Sequence, residues 1–81
     1  MLKVLFFAQT RELVGTEELQ LDGEFSSAEA VRQHLAQKGD KWALALQQDK
    51  LLVAINQSLS PLESAVKNGD EIAFFPPVTG G

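Results

Sequence analysis

The residues with the clearest chemical potential stand at the end of the 81-residue sequence, where Gly80-Gly81 follow Pro76-Pro77-Val78-Thr79. Glycine has no Cβ, so another protein can close around such a tip without a steric clash. The two prolines favour an extended backbone, and four residues beyond them reach at most about 13 Å. The pattern predicts a narrow tail that brings its own terminal carboxyl, on Gly81, into the active site of a partner.

Other catalytic or metal-binding patterns are missing from the sequence. It has one histidine, His34, and no cysteine, so neither a metal site nor a thiol nucleophile is predicted. Glycine-rich phosphate loops and the G-x-S-x-G motif are absent. Glu17-Glu18 and Asp70-Glu71 are adjacent pairs, and neighbouring strand residues point to opposite faces, so we expect solvated carboxylates there. We expect no permanently bound cofactor.

Length and charge indicate one small domain that works with protein partners. The net charge is −4 and the basic residues are scattered, so the electrostatic footprint of a nucleic-acid-binding protein is lacking. No apolar stretch approaches the ~20 residues of a membrane span, and the apolar N-terminal run is too short for a signal peptide. With no cysteine, the composition fits a cytoplasmic protein.

Five strands are predicted from apolar runs rich in β-branched and aromatic residues. They cover residues 2–8, 17–21, 51–55, 58–60 and 71–75. Asp22-Gly23, Asn56-Gln57 and Asn68-Gly69 are turn signals. Residues 9–14 are ambiguous between a loop and a helical turn that ends at Gly15.

The main helix follows the second strand. Ser26 and Glu29 match the capping-box pattern, Val31 and Leu35 recur at helical spacing, and Gly39 is predicted to end the helix. A short second helix is expected over residues 41–47.

This order of elements predicts an α+β fold of the β-grasp type, a mixed sheet with one main helix packed on one face. The first and last strands are expected to be parallel neighbours at the centre of the sheet. The predicted domain covers residues 1–75, and residues 76–81 form the extended tail.

The strand pattern also predicts an apolar patch on the face opposite the helix. If Val4 and Phe6 face the helix, then Leu5, Phe7 and Phe75 face the other way. Exposed apolar patches usually mark a partner interface. The alternative is that the 41–47 segment with Trp42, or the region of Leu59, covers this face.

Two blocks of the sequence resemble a known family. The first is residues 2–8 with Arg11-Glu12-Leu13 and Gly15, and the second is residues 68–81, which ends in the Gly-Gly tail. Together they closely resemble the small subunits of molybdopterin synthase, which are ubiquitin-like sulfur carriers, and the likeness covers essentially the whole chain.

The resemblance implies a sulfur-carrier cycle. An ATP-dependent adenylating enzyme would convert the Gly81 carboxylate to an acyl-adenylate, and a sulfurtransferase system would turn this into a thiocarboxylate, a C-terminal 1-thioglycine. The large subunit, in a heterotetramer, would use that sulfur to convert cyclic pyranopterin monophosphate to the dithiolene of molybdopterin.

The resemblance also implies which residues meet the partners. Phe7, Leu59 and Phe75 are the candidates for the docking surface, and Arg11 either pairs with a partner carboxylate or is simply solvated. The tail contributes Pro76, Pro77, Val78, Thr79 and Gly80, and Gly81 is the reacting residue.

Three alternatives stay open at the level of the sequence. The first is the sulfur carrier of thiamine synthesis, which shares the fold and the Gly-Gly end. The second is a ubiquitin-like modifier that is joined to lysines. The third is a β-grasp interaction domain whose tail has no chemical role.

Overall fold

A computed structural model describes residues 1–48 and 51–77. Within these ranges the elements are β1 (Leu2–Phe6), α1 (Ala8–Val14), β2 (Glu18–Leu21), α2 (Ala28–Ala36), α3 (Asp40–Ala45), β3 (Leu52–Ile55), β4 (Ser58–Ser60) and β5 (Glu71–Phe75). In this part of the chain, no helix combines the length and the apolar character needed to cross a membrane.

All five strands join one mixed sheet in the order β2-β1-β5-β3-β4. β1 and β5 are parallel at its centre, and the other neighbours are antiparallel. The predicted β-grasp arrangement, with its parallel first and last strands, is therefore confirmed. The division into a domain over 1–75 and a tail over 76–81 stays a prediction.

The core lies between the sheet and α2. Val4 and Phe6 on β1 and Phe74 on β5 are at most 1% exposed, and Leu35 of α2 is fully buried against this group. The register pairs Phe6 with Phe74, and their rings stack with centroids 6.3 Å apart. Alternation along the strands thus sends the large apolar side chains to the helix side, as the sequence predicts.

The start of the main helix differs from the prediction by one residue. Ser27, and not Ser26, is the N-cap, and its Oγ accepts a hydrogen bond from the backbone N–H of Ala30 at 3.1 Å. Ser27 also forms an isolated antiparallel bridge with Ala65, which holds its backbone extended as an N-cap requires. Glu29 pairs with Arg32, so the predicted capping box is wrong.

Gly39 is not the end of the main helix. α2 ends at Ala36, and the next turn closes when Lys38 donates its N–H to the Leu35 carbonyl at 3.0 Å. Gly39 is instead the N-cap of α3, in an extended conformation. Because α2 tightens through backbone bonds of the i to i+3 type, it needs no left-handed glycine at its end.

The ambiguous segment 9–14 forms a helix, and this helix shortens the first strand. The sequence predicts that strand over residues 2–8, but it ends at Phe6, because the backbone turns at Ala8 and α1 begins there. α1 begins directly after β1 and ends at Gly15, which has a φ of 81° and donates its N–H to the Arg11 carbonyl at 2.9 Å. A left-handed residue at this position is easily accommodated only by glycine, so the predicted role of Gly15 is confirmed.

Arg32 ties α2 to α3. Its Nε and Nη2 donate to the two carboxylate oxygens of Glu29 at 2.7 and 2.6 Å, and its Nη1 donates to the Leu46 carbonyl at 2.8 Å. The hydrogen bonds from Arg32 lower the pKa of Glu29, and those to Glu29 raise the pKa of Arg32. Leu46 follows α3, so this fork fixes where α3 lies against α2.

We predict that Arg32→Ala lowers the free energy of unfolding by about 1–3 kcal/mol, since it removes charged hydrogen bonds and leaves the Leu46 carbonyl without its donor. Urea denaturation measures this loss. Arg11→Ala is the matched control. Arg11 is exposed, and its nearest carboxylate oxygen, on Glu17, is 3.9 Å away, so its removal should cost less than about 0.5 kcal/mol. Equal losses for the two variants would contradict the structural role given to Arg32.

Candidate functional site

The face of the sheet opposite α2, called the open face below, carries a row of apolar side chains. The strand registers align Leu5 of β1, Ala73 of β5, Ala54 of β3 and Leu59 of β4 across the sheet. Residues aligned in this way share one face. Because the two central members are alanines, the middle of the open face is low and its borders are higher.

Two phenylalanines border the open face where the tail begins. Phe7 is 47% exposed and Phe75, the last residue of β5, is half-buried. Together with the residues between them they enclose a depression of about 880 Å³. Its lining consists of Leu5, Phe7, Ala8, Ala54, Gln57, Glu71, Ala73, Phe75, Pro76 and Pro77. The predicted apolar patch is present, and Ala8, Ala54, Gln57 and Glu71 are members that the strand pattern did not assign to it.

The alternative in which another segment covers this face is wrong. The ring of Trp42 lies 5.6 Å from that of Phe6, edge to face, and Phe6 points to the helix side of the sheet. Leu59 does lie on the open face, but it is 70% exposed and stands on the edge strand without covering its neighbours. The patch is therefore accessible among the residues that the structure describes.

The chain turns sharply at Ala8, directly after Phe7. The φ of Ala8 is 53°, a left-handed conformation that costs a non-glycine residue about 1–2 kcal/mol. Phe7 is held on both sides, because its N–H donates to the Phe74 carbonyl and its own carbonyl accepts from Arg11, each at 3.3 Å. The sharp turn at Ala8 lets the chain leave β1 and start α1 while Phe7 stays on the open face. The sequence gives no signal for it, since alanine does not mark a positive φ.

Three charged side chains, from β1, β2 and β5, lie close together on the sheet. Lys3 Nζ lies 3.9 Å from Glu18 Oε1 and 4.0 Å from Glu71 Oε2. These pairs are long and partly exposed, so they contribute little to stability. Because two carboxylates surround one ammonium group, this cluster carries a net negative charge.

Asp70 holds the start of β5 in place. Its Oδ1 accepts from Asn56 Nδ2 at 3.0 Å and its Oδ2 accepts from the Lys67 backbone N–H at 2.9 Å. Asn56 in turn accepts from the Glu71 N–H through its own Oδ1 at 3.0 Å. Asn56 and Gln57 both have positive φ, the geometry of a type I′ hairpin turn between β3 and β4. We call Asp70 and Asn56 the clamp.

The clamp changes the expectation for Asp70. The sequence predicts a solvated carboxylate, whereas Asp70 is 6% exposed and the hydrogen bond from Asn56, followed by that from Lys67, lowers its pKa. The sequence around Asp70 does not indicate this burial, because the hydrogen-bond partner Asn56 is distant along the chain. The clamp matters for the site since β5 leads directly into the tail.

The base of the tail is described, and its tip is not. Pro76 is half-buried, Pro77 is exposed, and both border the depression. The predicted partner-binding residues Val78, Thr79 and Gly80, and the predicted reacting residue Gly81, lie outside the described residues. Arg11 is exposed on α1, 3.9 Å from Glu17, and does not line the depression.

Within residues 1–48 and 51–77, no group of three or more histidine, cysteine or acidic side chains is arranged to hold a metal ion. His34 packs edge to face on the ring of Phe25, with centroids 5.2 Å apart. In the described structure this histidine is therefore part of an aromatic contact.

Comparison with known proteins identifies one family over most of the chain. The model of the ThiS family matches residues 4–81. The molybdopterin synthase sulfur carrier subunit of Haemophilus influenzae is 79% identical over 81 residues, the full length of both chains.

Two solved structures share the fold. Small archaeal modifier protein 1 from Methanosarcina acetivorans has a TM-score of 0.77 and 31% identity, with 99% of this chain and 95% of that one covered. In the protein-protein complex of subunits 1 and 2 of molybdopterin-converting factor from Helicobacter pylori, the matching chain has a TM-score of 0.66 and 26% identity, with 99% and 97% covered.

We predict that Asp70→Asn lowers the melting temperature at neutral pH and flattens its dependence on pH below about 4. The pKa of Asp70 is lowered in the folded state, so the unfolded chain binds its proton first as the pH falls. The stability that this carboxylate adds is therefore present above its unfolded pKa and is lost as the pH falls through the folded pKa.

Thermal melts between pH 7 and pH 2 measure this effect. Asp22→Asn, which removes an exposed carboxylate outside the clamp, serves as the control. The clamp is refuted if the two variants show the same dependence of melting temperature on pH.

Proposed function

The chain belongs to the ThiS family, and we propose that it is the sulfur carrier subunit of a molybdopterin synthase. The observation that carries this proposal is the 79% identity, over the full length of both chains, to the carrier subunit of Haemophilus influenzae. The family match runs through residue 81, so Gly80-Gly81 lie within the matched range. The central position of β5, which leads straight into this tail, supports the same function.

The first step of the proposed cycle activates the Gly81 carboxylate. A carboxylate is a poor electrophile, so its oxygen attacks the α-phosphorus of ATP and pyrophosphate leaves. The product is an acyl-adenylate with a reactive carbonyl carbon. An adenylating enzyme binds the ATP, and this chain supplies only the carboxylate.

The second step introduces sulfur. A donor at the oxidation level of hydrosulfide, delivered by a sulfurtransferase system, attacks the carbonyl carbon, and AMP leaves with the bonding electron pair. The resulting C-terminal 1-thioglycine is ionised at neutral pH and is a good nucleophile. Because the sulfur stays bound to a protein, its delivery depends on protein recognition.

The third step transfers the sulfur in the active site of the large subunit. The thiocarboxylate sulfur attacks a side-chain carbon of cyclic pyranopterin monophosphate, and the oxygen substituent of that carbon leaves with the electron pair of the broken carbon–oxygen bond. Water then cleaves the bond between this sulfur and the Gly81 carbonyl, which regenerates the carboxylate. A dithiolene contains two sulfur atoms, so a second thiocarboxylate chain repeats the step at the neighbouring carbon. In this scheme the large subunit provides the catalytic side chains and the present chain is a co-substrate. We expect the two to form a heterotetramer in the cytoplasm.

The open face is the proposed docking surface. It offers Phe7 and Phe75 at a shallow apolar depression and the exposed Leu59 on the neighbouring edge strand, and large exposed apolar patches favour protein contacts. The Helicobacter pylori structure, a complex of subunits 1 and 2, supports a second subunit as the partner. Docking here places the tail base, Pro76-Pro77, at the edge of the contact, so that Val78 to Gly81 enter the partner.

A second candidate function is a ubiquitin-like modifier, which the likeness to small archaeal modifier protein 1 favours. Its chemistry would begin with the same acyl-adenylate as the carrier cycle. An amine of another protein would then displace AMP and form an isopeptide bond, and no thiocarboxylate would be needed.

We predict that incubation with the adenylating enzyme, ATP and a sulfur donor replaces one oxygen of the chain by sulfur. Accurate intact mass before and after treatment with a thiol-alkylating reagent measures this exchange. The chain has no cysteine, so an alkylated product reports the C-terminal thiocarboxylate. Alkylation also separates the exchange from oxidation of Met1, which gives a nearly equal mass.

Two control chains sharpen this experiment. One lacks Gly81, and the other carries an alanine appended after it, which keeps every residue but moves the carboxyl. Neither should form an alkylated product. An acyl-adenylate and isopeptide-linked adducts without any sulfur product would favour the modifier, whereas no reaction at all with an enzyme active on another carrier would refute both functions.

A further inference from the structure

A second groove, lined by apolar residues together with Gln9, Thr10 and Gln47, lies between α1 and α3, on the other side of the tail base from the open face. It encloses about 590 Å³. Its lining consists of Gln9, Thr10, Leu13, Leu44, Ala45, Gln47, Pro76 and Pro77. Thr10 and Ala45 are 3% and 7% exposed and form its floor, while Leu44 stands at its border.

The tail base separates the two depressions. Pro76 and Pro77 line both the groove and the depression on the open face. Proline has no backbone N–H, so a partner cannot hold these two positions by accepting hydrogen bonds from them. A partner can instead recognise them by apolar contact with the proline ring carbons, which are accessible from both sides of the tail base.

The exposure of Leu44 has no explanation in the packing of the domain. It is 55% exposed, whereas the next residue, Ala45, is the one that α3 buries. In the described part of the chain, the large apolar residues with comparable exposure are Met1, Phe7 and Leu59. Phe7 and Leu59 belong to the open face, whereas Leu44 lies in the groove. Exposed apolar side chains are therefore present on both sides of the tail base.

We propose that the large subunit of the synthase also contacts this groove, with Leu44 packed against apolar side chains at the mouth of the channel that receives the tail. The inference rests on the proposed function and extends it. A partner that receives the tail and excludes water from its active site gains contact area when it packs on both sides of the tail base. The open face provides contact on one side, and the groove provides the apolar surface on the other, continuous with it through Pro76 and Pro77.

The test compares the binding of full-length variants to the isolated large subunit by calorimetry. Leu44→Ala should weaken binding about tenfold, as expected for an apolar interface side chain of moderate importance. Its melting temperature should match that of the unmodified chain, because Leu44 is mostly exposed. Lys41→Ala is the control, since Lys41 is exposed on the same helix and does not line the groove, and its affinity should not change.

Leu59→Ala, on the open face, separates failure of this inference from failure of the proposed function. If Leu59→Ala weakens binding and Leu44→Ala does not, the groove is not part of the interface and the carrier function stands. If Leu44→Ala slows only the reaction with the adenylating enzyme, the assignment of the groove to the large subunit is overturned. If the unmodified chain itself does not bind the large subunit, the proposed function fails and this inference with it.

Discussion

The parallel pairing of β1 with β5 is the constraint on which the rest of this structure depends. It places the first and last strands of the domain side by side, with Phe6 opposite Phe74. The same register brings Phe7 and Phe75, the residues that follow Phe6 and Phe74 in the sequence, together at the border of the open face. A slip of one residue would exchange the two faces of β5 and put Phe75 into the core. The pairing thus settles which phenylalanines stabilise the domain and which are available to a partner.

The two faces of the sheet have separate roles because the domain has helices on only one of them. On the helix side, Val4, Ile72 and Phe74 are fully buried, and this layer supplies most of the hydrophobic stabilisation. On the open face, alanines at the centre keep the surface low and limit the apolar area left in water. Two polar interactions fix the elements of the domain. Arg32 joins α2 to α3, and the clamp of Asp70 and Asn56 holds the start of β5. The clamp holds β5, the strand from which the tail extends.

The sequence predicted the features that depend on alternation, turn chemistry and chain order. The central parallel pair, the left-handed glycine at residue 15 and four of the five strands, to within one residue, follow from local patterns. The first strand is the exception, because it ends at Phe6 and not at Ala8. The turn at Asn68-Gly69 is also present, with a φ of 93° at Gly69, whose N–H donates to the Met1 carbonyl. The open face was predictable because one helix layer can cover only one side of a sheet.

Features that depend on distant partners were not predictable from local patterns. Ser27 replaces Ser26 as the N-cap because it pairs with Ala65, and Asp70 is buried because Asn56 reaches it from another strand. The left-handed Ala8 and the groove beside Leu44 arise from the way α1 and α3 pack beside the tail base. In each case the residue type alone is compatible with a solvated surface position.

The central claim is that sulfur held on Gly81 is what the chain delivers. The most direct measurement uses a chain whose C-terminal thiocarboxylate is made chemically, mixed with the large subunit and cyclic pyranopterin monophosphate in the absence of ATP. The account predicts that the dithiolene of molybdopterin forms while the mass of the chain returns to that of the carboxylate. If the thiocarboxylate is consumed without dithiolene, or persists beside an active large subunit, the carrier account is contradicted.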